Sequence, residues 1–142
     1  MLGDEILPQD YWINLPVKNL KKSKKFFEKI GFSAKENYVN DTNNVQLTIG
    51  EKEVYIMLFE NPIFKGFSGN NITNTKKSSE VLFSIAVETK KEVDEIFKKA
   101  IANGGKSFAQ PEDLDGMYGC GFCDLDGHRW NILYMDMSMM DI

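Results

Sequence analysis

Hydrophobic and polar residues alternate along residues 11–17, YWINLPV, in the pattern of a β-strand with one buried face. Ile13, Leu15 and Val17 share one side of this predicted strand, and the residues between them share the other. The same reasoning predicts further strands at 32–39, 44–50 and 53–59, the last two joined by a turn around Gly50-Glu51-Lys52.

Apolar residues change to a helical spacing directly after the first strand. Asn19 is a good N-cap, LKKSKKFFEKI carries its apolar residues on one helical face, and Gly31 is suited to end the helix. A second helix is predicted to begin where Thr89 and Glu92 form a capping box, and glycines at 104 and 105 stop it.

The two predicted helices stand at equivalent places in an internal repeat. A shift of 70 positions superposes strand 11–17 on the strand that contains LFSIAV, Asn19 on Thr89 and Phe27 on Phe97. One shift that matches a strand face, a cap and a helix face indicates a duplicated β-α-β-β-β unit. We therefore predict an α+β fold of two tandem β-α-β-β-β units.

The repeat also predicts how the chain is divided. We expect one domain over 1–142, with unit one at about 10–60, a linker at about 61–79, and unit two at about 80–136, closing in strands near 117–124 and 128–135. Asp124-Leu125-Asp126-Gly127 is a strong hairpin signal between the last two strands. The linker is polar and turn-rich after an apolar start, and we interpret it as a possible flap in which Phe64 and Phe67 are packed rather than exposed.

Composition narrows the class of protein. The chain has 142 residues and a net charge of −4, which gives no broad attraction to nucleic acid or to an anionic membrane. The N-terminus, MLGDEILPQD, is unlike a secretory signal, and no apolar run is long enough to span a bilayer. We expect a cytoplasmic protein without nucleic-acid or membrane partners.

Three motifs could carry chemistry, and each has a simpler structural interpretation. CGFC, from Cys120 to Cys123, could be a redox pair or half of a zinc site, but residues three apart on a strand point to opposite faces, and the chain has one histidine and no further cysteine to complete a zinc site. The only histidine, His128, could be a general base or simply a hairpin residue. Asp124 and Asp126 could suggest a calcium loop, but no glutamate follows at the required spacing.

Nearly the whole chain resembles the vicinal oxygen chelate superfamily, which includes glyoxalase I, extradiol dioxygenases, fosfomycin-resistance thiol transferases and bleomycin-binding proteins. The motifs that carry the resemblance are NLPVKNLKKSKKFFEKIGF, VETKKEVDEIFKKAIANGGK and FCDLDGHRWNILYMD. The resemblance implies that each unit forms a cupped mixed sheet, and that the two half-cups together enclose a ligand cavity.

In metal-dependent members of that superfamily, His, Glu or Gln side chains on four strands hold a divalent ion inside the cup. The equivalent positions of this chain are Trp12, Met57, Leu82 and Asn131. An indole, a thioether and an isobutyl group are poor partners for a hard or borderline cation, and a neutral amide oxygen is a weak one. We therefore expect no metal site and no cofactor.

Strand alternation predicts which side chains face the cavity, and the wall that it gives is mostly apolar and aromatic. Arg129, the only arginine in the chain, could pair with a ligand carboxylate or phosphate, or with a surface acid. The predicted ligand-binding residues are Trp12, Asn14, Tyr55, Met57, Phe59, Leu82, Ser84, Tyr118, Arg129 and Asn131.

Three functions are compatible with these features. The favoured one is metal-independent binding of a small, partly aromatic molecule by a homodimer. The second is a metal-dependent lyase, isomerase or dioxygenase whose displaced ligands are Glu60, Glu80, Asp124 and His128. The third is an interaction module whose sheets serve only dimerisation, and the Met-rich tail MDMSMMDI could pack on a partner.

Overall fold

A computed structural model describes residues 5–39 and 42–136 of the chain. The Met-rich tail from residue 137 onwards lies outside these described residues. The first sheet has the strand order β1-β4-β3-β2, with β1 and β4 parallel and the other pairs antiparallel. Its elements are β1 (Ile13–Val17), α1 (Leu20–Lys29), β2 (Ser33–Val39), β3 (Thr42–Ile49) and β4 (Val54–Glu60).

The second sheet repeats this topology. Its strand order is β5-β8-β7-β6, and the parallel pair is again formed by the first and last strands. Its elements are β5 (Leu82–Ala86), α3 (Lys90–Ala102), β6 (Lys106–Leu114), β7 (Met117–Cys123) and β8 (Arg129–Met135). The α+β fold of paired β-α-β-β-β sheets is therefore confirmed.

Both predicted helix starts are confirmed by their caps. The side chain of Asn19 accepts a hydrogen bond from the Lys22 N–H at 3.0 Å, and Thr89 Oγ1 accepts one from the Glu92 N–H at 3.1 Å. These bonds satisfy N–H groups that have no partner within the helix. Gly31, just past α1, has φ = 100°, which favours glycine.

The segment between the sheets differs from the predicted linker because it contains a helix, α2 (Asn61–Ser68). Pro62 in its first turn favours helix initiation, and Gly69 ends it with φ = 69°. The helix packs against β1 and β4. The prediction that Phe67 is packed was wrong, since this residue is 62% exposed, although its ring contacts that of Phe59 edge-on. Phe64 is half-buried.

A single hydrophobic core joins the two sheets through α1. The ring of Phe26 lies 6.2 Å from that of Phe122 on β7, and the ring of Phe27 lies 5.3 Å from that of Trp130 on β8. The side chains of Phe27, Phe122 and Trp130 are buried. Helix α1 therefore holds the second sheet against the first, and this contact fixes the relative position of the two half-cups.

Candidate functional site

The faces of the two sheets that point away from α1 and α3 carry most of the predicted ligand-binding residues. In the first sheet, Asn14 pairs with Met57 across β1 and β4. In the second, Ser84 pairs with Asn131 across β5 and β8, and the Asn131 amide donates to Ser84 Oγ at 3.5 Å. We call these two surfaces the cup faces.

The four positions equivalent to metal ligands all lie at the cup faces but offer no ligand set. Trp12 and Leu82 are each 54% exposed, and Met57 and Asn131 are half-buried. Within residues 5–39 and 42–136, no three His, Cys, Asp or Glu side chains converge in a way that could hold a metal ion. The donors present at the cup faces do not fit a divalent cation.

Two predicted ligand-binding residues are not available to a ligand in the cup. Tyr118 lies on the helix-facing side of β7, where its hydroxyl donates to Asp94 Oδ1 of α3 at 2.6 Å. The pairing of β7 with β8 explains why the prediction for Tyr118 was wrong. Gly121 pairs with the cup-facing Asn131, and Tyr118 lies three residues from Gly121, so its side chain points to the opposite face of the sheet. Phe59 has the predicted direction, but α2 covers it and leaves it 8% exposed.

Two adjoining cavities lie where β1 meets the start of β8, a line that we call the seam. The smaller has a volume of about 180 Å³ and is lined by β1, Phe64 of α2, the segment 71–81 and residues 127–129. The larger, of about 570 Å³, extends between residues 72–76 and the hairpin 123–129. Of the predicted ligand-binding residues, Asn14 and Arg129 line the smaller cavity, and Arg129 lines both.

The hairpin between β7 and β8 forms one side of the seam, and its geometry depends on Asp124. This buried carboxylate accepts from the N–H groups of Asp126 and His128 through Oδ1 and from Trp130 Nε1 through Oδ2, at 2.9 to 3.1 Å. Burial raises the pKa of Asp124 above its ordinary value, while His128 and the hydrogen bond from Trp130 oppose the rise. Because three donors already bind its two oxygens, this carboxylate stabilises the hairpin and is not placed to bind a cation.

His128 is tied to the opposite side of the seam. Its Nε2 lies 2.6 Å from the carbonyl oxygen of Pro16, which requires that Nε2 carries the proton and donates. Asp126 adds two further links, because Oδ1 accepts from the Lys18 N–H at 2.7 Å and its carbonyl accepts from Thr75 Oγ1 at 2.6 Å. These bonds close the seam around the cavities and support a structural role for His128.

The remaining candidate ligands for a displaced metal site do not assemble either. Glu60 accepts from the Leu20 N–H through Oε2, at 3.1 Å, and so caps α1. Glu80 lines the smaller cavity beside His128 but without a further carboxylate. Cys120 and Cys123 are free thiols on opposite faces of β7, and burial raises the pKa of Cys120 to about 11.

One aromatic residue at the cup face could not be predicted from alternation. Phe108 lies at an irregularity in β6, between Ser107 and Ala109, where the register with β7 shifts. Its ring covers Gly121, where any Cβ would overlap it, and the guanidinium carbon of Arg129 lies 4.5 Å from the ring centroid. The only available signal was Gly121, since a glycine in a strand often marks close approach of another group.

Paired β-α-β-β-β sheets with a cavity at their junction define a class of proteins built by duplication of one cupped unit. Residues 11–132 match the model of the Glyoxalase/Bleomycin resistance protein/Dioxygenase superfamily. The chain therefore belongs to this superfamily, as the resemblance implied. A comparison with curated proteins finds no match.

Solved structures share this fold over most of the chain. Hypothetical protein SA1046 from S. aureus is 33% identical with a TM-score of 0.84, over 94% of this chain and 99% of that one. A fosfomycin resistance protein, FosX, from Listeria monocytogenes is 19% identical with a TM-score of 0.63, over 94% and 98% of the two chains. A glyoxalase/bleomycin resistance protein/dioxygenase family enzyme from Burkholderia phytofirmans is 16% identical, with a TM-score of 0.71 over 88% and 97%.

Proposed function

We propose that this protein binds a small, partly aromatic molecule between its two half-cups and does so without a metal ion. The observation that carries the proposal is the chemistry of the four cup positions, Trp12, Met57, Leu82 and Asn131. A divalent cation loses hydration when it binds, and one neutral amide cannot replace that hydration. Binding energy must therefore come from apolar contact and directed hydrogen bonds.

The cavities at the seam support this kind of ligand. The larger cavity, of about 570 Å³, is in the usual range of small-molecule sites, roughly 300–1,000 Å³, and the smaller one, of about 180 Å³, adjoins it. Phe64 and Val81 supply apolar wall to the smaller cavity, and Asn14, Asn71 and Thr73 supply hydrogen-bonding groups. Trp12 is half-exposed and directly precedes Ile13 and Asn14, which line the smaller cavity.

Trp12 provides the test. The chain has two tryptophans, of which Trp12 is half-exposed and Trp130 is fully buried in the core. We expect small aromatic molecules such as benzamide to raise the melting temperature and to change the Trp12 fluorescence saturably. Trp12→Phe should abolish the fluorescence change and keep the thermal shift. A screen of aromatic compounds that moves neither signal would contradict the proposal.

We further propose that two copies of the chain form a homodimer that covers the cup faces. The support for a dimer is the exposure of Trp12 and Leu82, each 54% exposed at the cup faces, and of Val81, which is 43% exposed; a partner chain would cover these large apolar side chains. Sedimentation should give twice the chain mass of 16.2 kDa, and Leu82→Glu should shift the protein toward one chain. A wild-type protein that sediments as a single chain would contradict the dimer but not ligand binding.

We propose the cytoplasm as the place of action. Free thiols at Cys120 and Cys123 fit a reducing compartment. None of the helices in the described part of the chain has the length and apolar character needed to cross a bilayer.

A further inference from the structure

We propose that the ligand of the seam carries an acidic group, a carboxylate or a phosphate, and that Arg129 binds this group. The inference rests on the proposed function and names the chemical class of its ligand. Arg129 is the only arginine among 17 basic residues, and its side chain borders both cavities. A group held by Arg129 would therefore lie where the two cavities adjoin.

The guanidinium of Arg129 is positioned before any ligand arrives. Its carbon stands 4.5 Å from the centroid of the Phe108 ring, and stacking of this kind holds the planar group in place. The Phe108 ring is fixed in turn, because it covers the bare Cα of Gly121 at the irregularity in β6. A guanidinium fixed on an aromatic ring loses little freedom when it binds a two-oxygen anion.

Arg129 has no acidic partner of its own within the described part of the chain. None of the ion pairs or hydrogen bonds found there involves its side chain, and its Nε is buried without an acceptor. An unpaired buried donor is unfavourable, and no acceptor within the described residues offsets the charge of this guanidinium. An anion in the cavities would supply acceptors for the terminal nitrogens of the guanidinium and would balance its charge.

The surroundings of Arg129 favour an anion over a cation. Lys18, Lys76 and Lys106 line the larger cavity together with Arg129. The acids of that cavity, Asp124 and Asp126, already accept hydrogen bonds on both carboxylate oxygens.

The side chain that opposes an anion is Glu80, which lines the smaller cavity with Arg129 but forms no ion pair within 4.0 Å among the described residues. Replacing this glutamate should therefore strengthen the binding of an anion and leave a neutral ligand unaffected. Glu80→Gln is the matched variant for this purpose.

A single resonance reports on the proposal, because a chain with one arginine has one arginine Nε–H signal in a ¹H–¹⁵N spectrum. We would titrate the wild-type protein with benzoate, phenyl phosphate, inorganic phosphate and neutral benzamide. Benzoate or phenyl phosphate should shift the Nε–H signal saturably, and benzamide should not. The preferred anion distinguishes a carboxylate ligand from a phosphate ligand.

Variants complete the test. Arg129→Lys keeps the charge but loses the two-pronged contact, so anion affinity should fall at least about tenfold, and Glu80→Gln should raise it. An Nε–H signal unmoved by every anion, or equal anion affinity in Arg129→Lys, would overturn the inference. If the inference fails in this way, benzamide binding detected through Trp12 would still support the proposed function. Conversely, a response to inorganic phosphate without any binding of aromatic molecules would support the role of Arg129 and contradict the proposal of an aromatic ligand.

Discussion

Asp124 is the residue on which the geometry of the seam most depends. Its carboxylate lies under the hairpin and accepts from two backbone N–H groups and the Trp130 indole. In the sequence this aspartate could suggest a calcium ligand, but in the structure its carboxylate stabilises the hairpin turn by accepting hydrogen bonds. Spacing alone could not distinguish these roles, because both place a carboxylate oxygen among backbone groups.

Replacing Asp124 by Asn should lower the free energy of unfolding by about 2 kcal/mol or more, because an amide nitrogen would face N–H donors and leave some of them unpaired. Urea unfolding measures this loss. Asp113→Asn is the control: Asp113 is 61% exposed in its ion pair with Lys90, so its loss should cost less than about 0.5 kcal/mol. Equal stability of the two variants would contradict the role assigned to Asp124.

Tyr118 carries a prediction about alkaline pH. The hydrogen bond that its hydroxyl donates to Asp94 is the main cause that raises its pKa to about 12. A raised tyrosine pKa in the folded state means that this contribution to stability is present below about pH 10 and is lost as the pH rises through about 12.

Tyr118→Phe should therefore destabilise the protein by about 1 kcal/mol at neutral pH and remove the phenol that ionises near pH 12 from an absorbance titration. Tyr11→Phe removes a phenol that is 71% exposed and should leave stability unchanged. A Tyr118→Phe protein whose titration at high pH matches the wild type would contradict this assignment.

At the scale of elements, most of the fold could be predicted from periodicity, and the failures have local causes. The faces of β1, β4, β5 and β8 follow from alternation because those strands pair without irregularity. Strand β6 could not be predicted in the same way, since register shifts after Ser107 and Ala109 break its period of two. Helix α2 is only eight residues long and lies in a turn-rich stretch, where a helical pattern is hard to recognise.

The candidate site was predictable only in part for the same reason. Asn14 and Arg129 belong to regular strands, and alternation gives their direction. The rest of the wall comes from α2 and the segment 71–81, whose path depends on contacts such as the one between Thr75 and Asp126. No periodic pattern encodes such a path.

A change from glycine to alanine should have opposite effects at Gly121, which lies under the Phe108 ring, and at Gly66, which has open space around it. Gly121→Ala should cost about 1–3 kcal/mol, because the new Cβ would displace the Phe108 ring. Gly66→Ala, in α2 with nothing near its Cβ, should stabilise by about 0.5–1 kcal/mol because alanine favours a helix. Urea unfolding measures both, and a Gly121→Ala protein as stable as the wild type would contradict the packing.

At the scale of the whole molecule, the protein has the duplicated frame of its superfamily, and its four cup positions carry an indole, a thioether, an isobutyl group and an amide. Helix α1 joins the two sheets through the contact between Phe27 and Trp130. The hairpin closes the seam through Lys18 and Asp126. Packing through α1 and hydrogen bonds across the seam therefore shape the cavity.

The measurement that tests metal-independent binding most directly is the metal content of wild-type protein purified without chelator. Elemental analysis determines this content, and it is repeated after incubation with nickel, zinc, manganese or ferrous iron. A variant with Trp12→His, Met57→Glu, Leu82→His and Asn131→Glu serves as the comparison, since it restores ligand chemistry at all four positions. We predict that the wild type retains far less than one ion per chain and that its melting temperature does not respond to any of these metals. One tightly held ion per wild-type chain, lost together with thermal stability on chelation, would contradict the account.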